Sequence, residues 1–171
     1  MITLREYERI VSVFRRHHFV LLVTLIPIVG AFFLVLVVAA IAEVRMPSDF
    51  GALKPVVFLG AAFFLHLLWL ALFITIADFV LDVWVLTDKR MIMVEQKGLF
   101  ARMVAELDLD RVQDAGVEVN GIIATFLNFG NVRVHTASER EDFVLAHAAR
   151  PHEVKDTVMR SCAAFRQAHK I

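Results

Sequence analysis

Residues 19–42 read FVLLVTLIPIVGAFFLVLVVAAIA, and residues 55–77 read PVVFLGAAFFLHLLWLALFITIA. The first run has no charged residue, and the second is interrupted only by His66. Each exceeds the roughly 20 apolar residues that a helix needs to cross a bilayer. A helix satisfies its own backbone polar groups, so it can lie in lipid. Two membrane helices are therefore expected, at 19–42 and 55–81, with Pro27 and Gly30 as candidate kink positions in the first. A secretory signal fits the first run less well. Ala40-Ile41-Ala42 resembles a cleavage site, but a signal's apolar region spans only about 7–15 residues, and Glu6 and Glu8 acidify the segment before it.

These runs explain the composition. Of the 171 residues 58% are hydrophobic, with a mean hydropathy of +0.66. A soluble domain is about 45–50% apolar. The 18 basic and 18 acidic residues cancel, which argues against a nucleic-acid binder with a basic face. Cys162 is the only cysteine, so an intrachain disulfide is excluded. It is expected as a small buried hydrophobe.

Residues 43–54 contain Met46-Pro47-Ser48-Asp49 and Gly51, a short turn-like loop. The helices must then run antiparallel, with both chain ends on one side. Arg15, Arg16, His17 and His18 precede the first run, and Lys89 and Arg90 follow the second. The loop has Arg45 and Lys54 offset by Glu43 and Asp49. The positive-inside rule thus predicts a multi-pass protein of the cell inner membrane, with both termini cytoplasmic and the loop outside. Residues 1–18 are read as an amphipathic juxtamembrane helix. Thr3 and Glu6 have capping-box spacing, and Leu4, Tyr7, Val11 and Phe14 share a helical face. It would lie on the inner leaflet or pack on the cytoplasmic domain; the sequence favours neither.

His66 sits mid-span, where a polar side chain is a functional candidate by default. The spans offer it only Thr24 and Thr75 as company. Helix–helix contact is the plainer explanation. Asp78 and Asp82 lie one helical turn apart on one face, at the inner interface.

Residues 82–171 form the cytoplasmic part. Val83–Thr87 and Met91–Val94 read as strands about an Asp88-Lys89 turn, and Gln96-Lys97-Gly98 as the next turn. Residues 103–110 alternate like a half-buried strand. Val112–Val119 follows as a strand with Val117 and Val119 inward. Residues 121–130 break the alternation as a short helix or compact turn, and 132–136 and 143–147 are further strands. Pro151 suits a helix start, and Val154, Val158, Cys162 and Phe165 make an apolar stripe. The expected fold is a membrane helical hairpin plus an α+β domain, an antiparallel barrel or sandwich closed by the C-terminal helix. The second helix should run straight into the first strand.

The segments DVWVLTDKRMI (82–92), EQKGLF (95–100), LDRVQD (109–114), 121–130 and NVRVHTA (131–137) together resemble the membrane-associated bacterial pleckstrin-homology-like (PH-like) domains of the YdbS type. The pattern T-x-x-R falls on Thr87 and Arg90, and the G-L-F turn on Gly98. L-x-x-V-Q-D ends on Gln113 and Asp114, and G-x-V-x-V-x-T runs from Gly130 to Thr136. Trp84 and Gly121 belong to the same set. The resemblance covers about 15–160, with Arg150 where the family often has an acidic or small residue before Pro. It implies fold roles for these residues and a membrane-anchored interaction or assembly module without catalytic activity. The partner would be a protein or a second copy.

The alternative is anionic headgroup sensing, with Arg15, Arg16, Lys89, Arg90, Lys97 and Arg102 as candidate membrane-surface contacts. Headgroup binding needs clustered basic residues, yet from Val83 onward 12 basic face 12 acidic residues. An ion or proton pathway through His66, or an enzyme subunit, is a third class. No phosphate loop, H-E-x-x-H or nucleophile elbow is present. His135 and His147 are candidate cross-strand neighbours, and His152 lies apart. Two histidines make no convincing metal site, so no catalytic, metal or cofactor residue is assigned.

Overall fold

The computed structural model describes residues 5, 7–45, 51, 53–98, 100–136 and 143–168. The apolar runs form α1 (His18–Arg45) and α2 (Leu53–Leu81). Their 28 and 29 residues give lengths of about 42 and 44 Å at 1.5 Å per residue. α1 continues through Pro27. The less exposed positions are Leu21, Leu25, Ile28, Ala31, Phe32 and Val35 on α1, and Phe58, Ala61, Leu65 and Leu68 on α2. That three–four spacing is the seam of two antiparallel helices packed side by side. Lys54 Nζ meets Glu43 Oε1 at 2.8 Å near the tip; residues 46–50 of the loop lie outside the described part. Neither helix has a buried residue.

The strands are β1 (Ile10–Phe14), β2 (Val83–Thr87), β3 (Arg90–Lys97), β4 (Ala101–Asp108), β5 (Val112–Glu118), β6 (Phe129–Thr136) and β7 (Phe143–Ala149). β1 corrects the expected amphipathic helix over 1–18. Ile10-Val-Ser-Val-Phe14 is rich in β-branched residues and pairs antiparallel with β2, setting Val13 opposite Val85 and Phe14 opposite Trp84. A distant partner overrides the local helical spacing. Thr3, Leu4 and Glu6, which carried much of that spacing, lie outside the described residues. The strand-built domain is therefore not confined to residues after 82. It contains β1, and the hairpin is inserted between its first two strands.

Two antiparallel sheets follow, in the orders β1-β2-β3-β4 and β5-β6-β7. Of the expected barrel or sandwich, the closed barrel does not form, and the strands stay in two separate sheets. β4 ends in a single 3-10 turn, Leu109–Arg111, which carries the chain into the second sheet. Beyond β1, one bridge from Arg16 to Ala148 ties the first sheet's side to β7. α3 (Ile122–Leu127) fills the 121–130 segment, and α4 (Pro151–Ala168) packs against β5, β6, β7 and the 3-10 turn.

The core lies between the sheets and α4. Trp84, Leu86, Met91, Leu109, Val132, Val134, Leu145 and Val158 are fully buried there with Cys162. Each such aliphatic side chain contributes about 1.5–3 kcal/mol by leaving water. Gly130 sits where a Cβ would meet Glu118 O at 2.7 Å and Val119 Cγ2 at 2.9 Å. Gly98 turns the chain at φ +71°.

Candidate functional site at the junction of hairpin and domain

The α2 neck of the hairpin is pinned to the first sheet, and the α1 neck, which continues from β1, is pinned to both sheets. On the α2 side, Asp82 directly precedes β2 and is buried. Its Oδ1 accepts the Gln96 backbone N–H at 2.6 Å, and its Oδ2 lies 3.0 Å from an Arg16 guanidinium nitrogen. Arg16 also approaches Glu95 Oε1 at 3.8 Å. One turn earlier, Asp78 Oδ2 accepts the Gly98 N–H at 3.3 Å. Burial pushes the Asp82 carboxyl above the usual carboxylate range, opposed by the Gln96 N–H and by Arg16. The aspartate pair read from the sequence thus clamps α2 to the end of β3.

On the α1 side, the His17 N–H donates to His147 O at 2.8 Å. Its ring stacks on Phe129 with centroids 5.2 Å apart, and Phe19 adds a tilted contact with Phe129 at 5.8 Å. Burial lowers the His17 pKa, and the neighbouring His18 adds to that. His147 stands at φ +54°, and Asn131 Oδ1 accepts its N–H at 2.9 Å. The α1 neck thereby holds the second sheet as well, while α2 holds the first. His18 and Phe79 meet between the necks at 5.7 Å.

A second polar cluster stands at the opposite end of β2. Arg90 Nε and a terminal guanidinium nitrogen donate to Glu8 Oε1 and Oε2 at 2.9 and 3.0 Å, and Glu106 takes the other nitrogen. The Glu8 side chain is 0% exposed and that of Arg90 5%. The Thr87 hydroxyl lies within hydrogen-bond distance of Glu8 Oε1 and Arg90 O, and accepts the Arg90 and Lys89 N–H groups. Burial raises the Glu8 pKa. The bonds from Arg90, the Arg5 N–H and Thr87 outweigh this and hold it down to about 2, from an ordinary 4.5. Thr87 and Arg90 therefore form a turn lock whose partner, Glu8, precedes the hairpin.

The six basic candidates are not brought together. β3 starts opposite Asp108 and returns to Lys97 opposite Ala101. Lys89 and Arg90 thus sit at one end of the sheet, and Lys97 and Arg102 at the other. Arg90 is buried and paired, Arg16 is committed to Asp82, and Arg15 and Arg102 are exposed. The Lys97 side chain lies outside the described part.

Gln113 occupies a bulge in β5, and Asp114 Oδ1 accepts the adjacent Ala115 N–H at 2.7 Å. Its bond is local rather than cross-strand. His135 and His147 fall at opposite ends of the β6–β7 ladder, so they are not cross-strand neighbours. His66 Nδ1 lies 2.8 Å from Ala62 O within its own helix, as Thr24 and Thr75 bond back to Val20 and Ala71. Among the described residues no group of three His, Cys, Asp or Glu side chains is placed to hold a metal.

Sequence reasoning missed Glu8 and Phe129. The sequence marks Glu8 only as an acidic residue ahead of the first apolar run, and Phe129 carries no charge or motif to single it out. The Thr87–Arg90 motif was the available signal, since a buried arginine demands an acidic partner.

Two solved structures resemble part of the chain. One is a DUF1696 family protein with a pleckstrin-homology domain from Shewanella loihica PV-4, 15% identical, covering 47% of this chain and 70% of that chain, with a TM-score of 0.39. The other is a pleckstrin homology domain from Shewanella amazonensis SB2B, 20% identical, covering 47% and 66%, with a TM-score of 0.39. No curated protein matches significantly. The sequence model described as the bacterial PH domain matches residues 18–161, hairpin included, and the chain belongs to that family.

Proposed function

We propose that this protein is a membrane-anchored PH-like interaction and assembly module of the YdbS type, without catalytic activity, held at the inner face of the cell membrane. The observation that carries this reading is the pairing of β1 with β2 across the hairpin. A domain built on both necks cannot swing on a linker, so it presents its surfaces in a fixed pose. The membrane part is supported by two long apolar helices with no buried residue, which are apolar on every face as a lipid-facing span is. The family match begins at residue 18, so the hairpin belongs to the family's pattern. The charge bias described above supports cytoplasmic termini and an external loop.

Headgroup sensing is the weaker reading, because the sheet register separates Lys89 and Arg90 from Lys97 and Arg102. The protein partner is another protein or a second copy. Purification in nanodiscs from the native host, followed by native mass spectrometry, tests this. A discrete homo-oligomer or a stoichiometric second protein is expected. A monomer that carries nothing would overturn the assembly reading.

A further inference from the structure

The domain exposes large apolar side chains at the end that carries the hairpin. α3 is six residues long and buries only Ala124. Its Ile122, Ile123, Phe126 and Leu127 are 79%, 57%, 84% and 41% exposed. Phe100, in the β3–β4 turn, is 99% exposed. A soluble surface rarely gathers such residues on one element.

Their location is fixed by contacts already described. The α3 segment and Phe129 border a hollow that Phe19 also lines, beside the first turn of α1. The β3–β4 turn is held against α2 by the Asp78 bond to the Gly98 N–H. The two apolar features therefore flank the hairpin, one beside each helix, near the depth at which His18 meets Phe79. Arg102 is exposed two residues after Phe100. Aromatic and aliphatic side chains rimmed by a basic residue are the chemistry of the boundary between headgroups and acyl chains.

We infer that α3 and the Phe100 turn insert their apolar side chains into the inner-leaflet interface beside the hairpin, so that the domain touches lipid at two points besides its spans. This rests on the membrane reading of α1 and α2. The occupant is the bilayer rather than a protein, because the patches continue the lipid-facing surface of the hairpin from both of its sides. Three contacts, with the hairpin between two wedges, fix the tilt of the domain as well as its distance from the membrane.

The test uses the full chain with Cys162→Ala, reconstituted in nanodiscs, with single cysteines carrying an environment-sensitive fluorophore. Labels at Ile123→Cys, Phe126→Cys and Phe100→Cys are compared with Leu81→Cys at the neck. Arg111→Cys, at the far end, and Phe33→Cys, mid-span, serve as references. The probe is lipid spin-labelled either near the headgroup or deep in the acyl chain. The expected result is loss of fluorescence with the shallow quencher at 100, 123 and 126, comparable with that at 81, and none at 111.

If Phe33→Cys is quenched by the deep probe and 100, 123 and 126 are not quenched, the inference fails while the span survives. If Phe33→Cys is not quenched, the membrane reading itself fails. Labels at 123 and 126 that are shielded from water yet not quenched would show a protein covering α3, which also overturns lipid insertion. The five test and reference sites other than Leu81 are exposed in the fold, and Leu81 is itself 51% exposed, so none of the labels replaces a core side chain.

Discussion

Glu8→Gln removes one charge from the buried turn lock and, among the described residues, leaves Arg90 facing the half-exposed Glu106 as a counter-charge. The cost can be worked two ways. Breaking a buried ion pair by removing one partner costs about 3–5 kcal/mol. Holding a carboxyl from 4.5 down to about 2 corresponds to about 3 kcal/mol, at about 1.4 kcal/mol per tenfold change. The residual Glu106 contact brings the first figure down towards the second. With a urea slope of about 1.5 kcal/mol/M for a domain of this size, the unfolding midpoint should fall by about 2 M.

The measurement is urea unfolding of the full chain in nanodiscs, followed by the fluorescence of buried Trp84 in a Trp69→Phe background. The sign with pH follows from the lowered pKa. The Glu8 contribution is complete above pH 4.5 and is lost as the pH falls towards about 2, so the variant should lose less stability over that window than the parent does. Arg90→Met in the Glu8→Gln background should recover part of the loss, because no buried charge is then left unpaired. A Glu8→Gln midpoint within error of the parent would refute the lock, and with it the assignment of Glu8 to the domain.

Other substitutions probe separate parts of the account. Gly130→Ala forces a Cβ towards Glu118 O and should cost about 1–3 kcal/mol as an overpacking change, read in the same urea assay. Arg16→Leu should destabilise the junction more than Asp82→Asn does, because the first strands a buried carboxylate and the second leaves a neutral group; melting temperatures of the two variants decide it. The lowered His17 pKa means that its contribution is present above pH 6.5 and is lost as the pH falls through the folded value. The midpoint should thus drop between pH 7.5 and 5.5, and His17→Phe should flatten that drop. Burial raises the Cys162 thiol pKa, so maleimide should label it only after unfolding, and rapid native labelling at pH 8 would contradict its place on the buried face of α4.

The two long helices were legible because apolar runs of more than 20 residues, uninterrupted by charge, leave no polar stretch at which to break a helix. β2 to β7, α3 and α4 were legible from alternation, glycines and a Pro151 start. β1 was not, because five residues carry too little period to outvote a competing helical face, and their partner strand lies beyond the whole hairpin. The separation of the basic candidates was hidden for a related reason. Lys89, Arg90, Lys97 and Arg102 are close in sequence, but one strand length separates the two turns. The open barrel was invisible because closure depends on whether two edges meet, and the 3-10 turn at Leu109–Arg111 has no distinctive composition. Glu8 and Arg90 show the converse. Each looked like a surface charge alone, and only their pairing makes burial possible.

The domain is assembled across the hairpin, with β1 before α1 paired to β2 after α2. Val13→Cys with Val85→Cys, in a Cys162→Ala background and in isolated native membranes treated with a mild oxidant, measures this directly. Opposed positions on adjacent antiparallel strands come within reach of a disulfide. Rapid intramolecular cross-linking is expected, seen as a mobility shift of the monomer that reductant reverses. No cross-link, or cross-links only between two copies, would contradict it.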